Sequence, residues 1–375
     1  MRILIAGDFC DKNRVTNYLL QNKYENLLGE ILPVTSQHDY SIVNFEFPIS
    51  TSSAEPIKKN GPNLSGHQEA VEAIKYAGFD CCTLANNHIL DQGEDCGNYT
   101  KQVIEQYGMD TVGFGTNSTT SRDVLYKTIH DETLGVINCC EHEFSVATDI
   151  SAGACGMDPI HQFYSIQEAR KNADYIIVIT HGGHEHFCHP SPRMKSLYRF
   201  FIDAGADVVI NHHQHCYCGY EVYKNKQIFY GLGNFLFDNP NRRHMSWNLG
   251  YMVSLNMCKG IIDFSLIPYT QCNEEVTISL LKNDEVIVFK ENIQALNTIL
   301  VDDMKLKTII NAYYQESAVS ELCVLEPYSS YWSTKLLSMG LLPNFIKGRK
   351  LASMLNHIEC ESHRDKLLYA LKKAL

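Results

Sequence analysis

The stretch Ala204-Gly205-Ala206-Asp207-Val208-Val209-Ile210-Asn211-His212-His213-Gln214-His215 sets out one structural unit and its chemistry. Before it, Pro192–Ala204 places Leu197, Phe200, Phe201 and Ala204 at helical spacing, and Gly205 ends the run. Asp207–Asn211 then reads as a strand, apolar almost throughout, as a strand covered on both faces requires. Three imidazoles follow it at once. His213 and His215, two apart on an extended segment, can reach one centre from the same side.

The pattern repeats outward. Arg2–Ala6, Tyr40–Phe45, Cys81–Ala85, Thr133–Asn138, Tyr175–Thr180 and Gln227–Gly231 read as further strands, with helical stretches such as Gln68–Tyr76 between them. The βαβα alternation predicts a largely parallel sheet with helices on its faces. Each strand runs into polar residues at its C-terminal end. Asp8, Glu46, the trio Asn86-Asn87-His88, the pair His181 and Glu185, the His212–His215 run and Asn234 follow one strand after another. In an open α/β sheet those ends share one edge, where ligands bind, so these distant residues are expected to meet in one crevice.

From Gly250 the pattern changes. Tyr251–Asn256 with Ile261–Ile267, and Thr277–Leu281 with Val286–Phe289, read as two hairpins of a second, more antiparallel sheet. From about Glu291 the chain reads as helical. The stripes Leu351, Met354, Leu355, Ile358 and Leu367, Leu368, Leu371, Leu375 are expected to pack as a C-terminal helical cap, a partner-binding helix being the alternative. The division is residues 1–270 as the main domain and 271–375 as a β-hairpin plus helical extension.

The chain has 375 residues, 45% hydrophobic and 20% charged, with a formal net charge of −11. That balance argues against a nucleic-acid partner or an anionic membrane surface, which need a basic face. An anionic small-molecule or polymer substrate stays open, because a bound metal reverses the local potential. The N-terminus meets Asp8 early and shows no cleavage region, and no apolar run reaches the roughly 18 residues of a membrane span. A cytoplasmic chain is the expectation. The 14 cysteines, without CxxC spacing or an export signal, read as reduced thiols.

Carboxylate, imidazole and side-chain amide together suit divalent Mn, Fe or Zn, one or two ions. The donors outnumber what one tetrahedral ion uses, and a pair of ions about 3.5–4 Å apart would use them. Taken singly, Asp8 could be a turn or N-cap residue, Glu46 could face solvent, and His181 before Gly182-Gly183 could be loop chemistry. His184, His186 and His189 read as pocket rim or surface, Cys216 and Cys218 as strand packing, and Lys58-Lys59 as a solvated loop. Gly113-Phe114-Gly115 lacks the third glycine of a dinucleotide fingerprint, and neither a P-loop nor a GxSxG elbow occurs.

In order, Gly7-Asp8, Asn44-Phe45-Glu46-Phe47-Pro48, Ala85-Asn86-Asn87-His88 with Asp91 and Gly93, His181-Gly182-Gly183-His184-Glu185, His212-His213-Gln214-His215 and Gly231-Leu232-Gly233-Asn234 carry a likeness. Over about residues 1–268 the chain resembles the CapA family of poly-γ-glutamate capsule synthesis proteins, a bacterial branch similar to the calcineurin-type metallophosphoesterases. The resemblance implies a four-layer α/β/β/α sandwich. It implies that Asp8 and His215 hold a first metal, that Glu46 bridges, and that Asn87, His181 and His213 hold a second. It implies His88 as the acid or positioning group at the leaving oxygen, Glu185 as a supporting or substrate contact, and membrane-bound capsule synthesis proteins as partners. The chain departs from the superfamily's Asp-x-His, having Asp8-Phe9-Cys10, so one ligand of the first ion is missing or replaced by Cys10.

Two readings follow. In one, the protein is a metal-dependent hydrolase in which metal-bound hydroxide attacks a phosphoester or γ-glutamyl amide in capsule or related surface-polymer biosynthesis. In the other, it is a non-catalytic polymer-binding or assembly factor of the same system. His88 favours the enzyme, because pure binding gives it no task.

Overall fold

A computed structural model describes residues 1–323, 332, 335–336, 339–343 and 346–374. Alternation along the first strand organises it. In Arg2–Phe9, Ile3 and Ile5 face one way and Leu4 and Ala6 the other, and all four are buried. The strand is therefore covered on both sides, as its unbroken apolar run requires.

The sheet around it runs Ile278–Leu280, Ile261–Gln271, Leu249–Cys258, Arg2–Phe9, Tyr40–Phe45, Cys81–Thr83, Asp110–Val112, with Asn234–Leu236 pairing the end of Arg2–Phe9. The half from Arg2–Phe9 to Asp110–Val112 is parallel, and the half beyond Leu249–Cys258 is antiparallel. A second sheet runs Tyr220–Tyr223, Lys226–Phe229, Val208–His212, Tyr175–His181, Glu132–Cys140, Leu125–Ile129, parallel in its four central strands and antiparallel at both edges.

Between the sheets, Ile3, Ile5, Ile42 and Val253 share one core with Val136, Ile177, Ile179, Val208 and Ile210. On the outer faces, Val43 and Cys82 cluster with Val15, Val71, Ile74 and Ile104 of flanking helices, while Val178 and Val209 cluster with Ile166, Tyr198 and Phe201. The architecture is a four-layer α/β/β/α sandwich with a C-terminal helical extension.

Two expectations are corrected. The Leu249–Cys258/Ile261–Gln271 hairpin extends the first sheet, and the second sheet is built from the parallel strands between residues 132 and 229. The hairpin expected at the start of residues 271–375 does not form. Ile278–Leu280 pairs instead with Tyr269–Gln271, and Val286–Phe289 lies in helix Asp284–Val301. The β-branched run favours a strand locally, but Phe289 and Ile293, four apart, bury against the inter-sheet core while Ile287 and Val288 stay exposed.

The extension continues as helices Asp303–Cys323, Arg349–Glu359 and Glu361–Ala374. Leu367 and Ala370 are buried, but Leu351, Leu355 and Ile358 stand exposed, so the first expected stripe does not pack; Leu375 lies outside the described residues. Polar contacts do much of the seating. Arg193 donates to Glu141 Oε1 (2.5 Å), Asp365 Oδ2 (2.9 Å) and Ser362 Oγ (3.2 Å), and His142 Nδ1 meets Glu361 Oε1 at 2.7 Å. Among the described residues, no helix is long and apolar enough to cross a membrane.

Burial alone would raise the Glu141 carboxyl, but Arg193 brings it down to about 2. The pair therefore stabilises the fold fully above the ordinary carboxylate pKa of about 4.3, and that contribution fades as pH falls toward 2. Arg193→Met strands two carboxylates and is expected to cost about 3–5 kcal/mol at pH 7 in urea denaturation, a deficit that shrinks below about pH 4.

Candidate metal centre

The C-terminal ends of strands from both sheets meet in one crevice. Two glycines allow it: a Cβ on Gly7 would lie 1.9 Å from the Gly233 carbonyl oxygen, and Gly233 itself has φ +78°. This close crossing sets Asp8 beside Asn234. His213 (φ +91°) and His215 (φ +55°) both leave their strand in left-handed conformations, which costs energy in a non-glycine residue and turns both rings inward.

The donors form two overlapping sets. Atoms of Asp8, Glu46 and His215 lie within 4.8 Å of one another, and so do atoms of Glu46, His181 and His213. His181 Nε2 is 3.1 Å from Asn87 Oδ1, 3.2 Å from His213 Nδ1 and 3.6 Å from Glu46 Oε1. His215 Nε2 is 3.8 Å from Glu46 Oε1, and its Nδ1 is 3.7 Å from Asp8 Oδ2. The structure thus brings together Asp8, Glu46, Asn87, His181, His213 and His215, with Glu46 common to both sets.

Glu46 is fully buried, and neither of its oxygens has a hydrogen-bond partner. Burial, then the charge of Asp8, pushes its carboxyl well above the ordinary value. Burial raises Asp8 to about 6, against the amide of Asn44. Burial and the neighbouring imidazoles drive His181 well down, and burial brings His215 to about 3. Acids that resist ionising beside bases that resist protonating leave lone pairs without partners. Divalent cations fit that donor set, since they hold carboxylates ionised and imidazoles neutral.

Several side chains have tasks here that the sequence reading did not assign to them. Asn44 Nδ2 donates to Asp8 Oδ1 (2.8 Å), and Asn234 Oδ1 accepts from His215 Nδ1 (2.9 Å), which aims Nε2 inward. Asp91 Oδ2 takes His88 Nδ1 at 2.6 Å, and Lys59, expected on a solvated loop, is buried between Asp91 and His88 Nδ1 (3.0 Å). A carboxylate and a histidine on one turn draw the lysine in. Burial and Lys59 lower the pKa of His88 against Asp91.

His184, expected at the rim, is buried under the extension with Nε2 2.8 Å from the Tyr314 hydroxyl, and His189 is buried beside Phe187; His186 is exposed at the rim. Cys10 is buried in the apolar core cluster and belongs to neither donor set. Cys216 and Cys218 are likewise buried and free.

The donors open into a cavity of about 680 Å³. His88 and Glu185 line it, Glu185 with half its side chain exposed. Lys12, Lys59, Arg242 and Lys366 line it as well, as do the acidic Glu143 and Asp238, the latter paired with Arg14 and Arg243. Trp247 stacks near His215 (4.8 Å between rings) and under Arg242 (5.2 Å).

Among solved structures, the chain is similar to a 5′-nucleotidase-type protein of Staphylococcus aureus (17% identity, 77% of this chain and 57% of that chain, TM-score 0.46). It is also similar to a phosphatase of Mycoplasma pneumoniae (14% identity, 73% and 95%, TM-score 0.45). In sequence it is 30% identical over 246 residues to the capsule biosynthesis protein CapA of Bacillus anthracis, covering 64% of this chain and 60% of the relative. It is 30% identical over 237 residues to the PGA biosynthesis protein CapA of Bacillus subtilis strain 168, covering 62% of each. The chain therefore spans about three-fifths of the length of these relatives. The model of the family described as bacterial capsule synthesis protein PGA_cap matches residues 2–239, a span that contains all six converging donors together with His88 and Glu185, and the chain belongs to that family.

Proposed function

We propose that this protein is a metal-dependent hydrolase acting on a phosphoester or γ-glutamyl amide of an anionic substrate, in capsule, poly-γ-glutamate or related surface-polymer biosynthesis. The observation that carries the reading is Glu46: a fully buried carboxylate without a hydrogen bond, ringed by Asp8 and three imidazoles, two of which, His213 and His215, line an open cavity. The similarity to two capsule and PGA biosynthesis proteins supports the biological setting.

Asp8, Glu46 and His215 would hold one ion, and Glu46, Asn87, His181 and His213 the other. Divalent ions there lower the pKa of water and offset negative charge that develops in the reaction. Asn44 and Asn234 keep Asp8 and His215 aimed. Asp91 takes up Nδ1 of His88, which leaves Nε2 for the leaving oxygen. An anionic substrate beside His88 favours its protonated form, offsetting burial and Lys59, so that it can give up a proton as the bond breaks. Lys12, Arg242 and Lys366 favour an anionic substrate despite the net charge of −11. Glu185, at the wall, would contact substrate or a water.

A panel of phosphomonoesters, phosphodiesters and γ-glutamyl peptides, assayed with Mn, Fe or Zn, tests the reading and identifies the bond. His88→Ala is expected to cut kcat by about 10²–10⁴-fold with metal content unchanged. A metal-loaded protein that turns over none of these substrates would instead support the polymer-binding reading.

Metal uptake has its own expectation. The Asp8 side offers three donors and lacks a replacement from Cys10, whereas the Asn87 side offers four. Equilibrium dialysis should resolve one tight and one weaker ion. Glu46→Gln should abolish both steps, yet raise Tm in chelator-treated protein because a buried carboxylate without a partner is gone. A lower Tm would contradict that account.

A further inference from the structure

A third set of donors lies at the seam between the family-matched region and the helical extension. Ligand atoms of Glu143, Cys360 and His363 lie within 4.8 Å of one another. Glu143 sits in the loop after strand Glu132–Cys140, Cys360 stands between helices Arg349–Glu359 and Glu361–Ala374, and His363 is on the first turn of the latter. We propose that these three residues bind a zinc-type ion that fastens the extension to the wall of the cavity. The site shares no ligand with the centre described above and stands independently of the hydrolase reading.

Charge is the first argument. Glu141, Glu143 and Asp365 crowd this seam, and the guanidinium of Arg193 serves Glu141 (2.5 Å) and Asp365 (2.9 Å). Glu143 meets the His363 ring (Nε2 at 3.4 Å), the Asn356 amide (3.5 Å) and the side-chain amide of Asn87. The Cys360 thiol is buried, with its sulfur 3.7 Å from Glu141 Oε2. Carboxylates, a thiol and an imidazole thus gather at one half-buried seam, as donors that a divalent cation would join.

Chemistry is the second. Thiolate, imidazole and carboxylate form a borderline-to-soft set that suits zinc better than magnesium or calcium, and the Cys360-x-x-His363 spacing places two ligands on one helical turn. Binding would release the Cys360 proton to solvent. A second observation points the same way: while Nε2 faces Glu143, His363 Nδ1 is buried and has no hydrogen-bond partner among the described residues. Such an ion would set the position of His363 and Lys366, both of which line the cavity.

Cobalt separates this site from the main one, because no cysteine belongs to the main donor sets. The full chain, stripped with a chelator and titrated with Co²⁺, should develop a thiolate-to-cobalt charge-transfer band saturating at a single equivalent. The band should persist in His213→Ala and Cys10→Ser and vanish in Cys360→Ser; Zn²⁺ should displace it. His363→Ala, which keeps the thiol, should shift and weaken it. A wild-type chain without the band overturns the proposal whether or not Cys360→Ser folds. A band that survives Cys360→Ser, or that disappears with Cys10→Ser, overturns it as well. Hydrolysis is measured separately, so either proposal can fail alone.

Discussion

A carboxylate buried without a partner is a constraint a fold does not carry without compensation. Glu46 sits at the floor of the crevice with both oxygens unmatched, and burial and Asp8 push it toward its neutral form. The surroundings add to the constraint. His213 and His215 hold left-handed backbone, and Gly7 presses against Gly233. Each feature costs stability in the bare chain. Each also moves a donor atom toward the same small volume, so the crevice is preorganised for positive charge that the chain does not itself supply.

The fold and the floor of the crevice were legible for one reason. Strands covered on both faces leave a long apolar signature, and in a parallel sheet the residue that ends each run must lie at a shared edge. Thus Asp8, Glu46, Asn87, His181 and His215 could be placed together without knowing how the two sheets stack. The stacking itself was not legible. The antiparallel hairpin after Leu249 gives the same period-two pattern whether it closes a second sheet or widens the first, and only the register of Leu255 against Ile3 decides it. Val286–Phe289 misled for a related reason: a β-branched run favours a strand until Phe289 and Ile293 find a buried face at helical spacing.

Residues that act through another residue were the harder part. Asn234 was visible as a polar strand end and Asn44 only as part of the Asn44-Phe45-Glu46 stretch, but their work is to aim Asp8 and His215, which depends on distances of 2.8 and 2.9 Å that no spacing encodes. Lys59 is the sharper case. A lysine pair before Gly61-Pro62 looks like solvated loop, and its burial follows only from Asp91 and His88 lying on one short turn across from it.

The extension adds to the wall of the crevice without touching its floor. All six donors lie within the span matched by the family, but Tyr313, Asn356, Ser362, His363 and Lys366, which line the same cavity, lie beyond it. Tyr313 is seated by an apolar cluster with Phe187 and Tyr314, whereas Leu351, Leu355 and Ile358 stay exposed and the last helices are tied down by Arg193, Glu141 and the Glu143 seam. Polar seating is directional, and it falls away when one partner is lost. A wall held that way fixes which charged groups face the cavity while leaving the donors around Glu46 unchanged. On the proposed hydrolase reading, selectivity for a substrate's far end and reactivity at its scissile bond would then be set by separate residues of the same cavity.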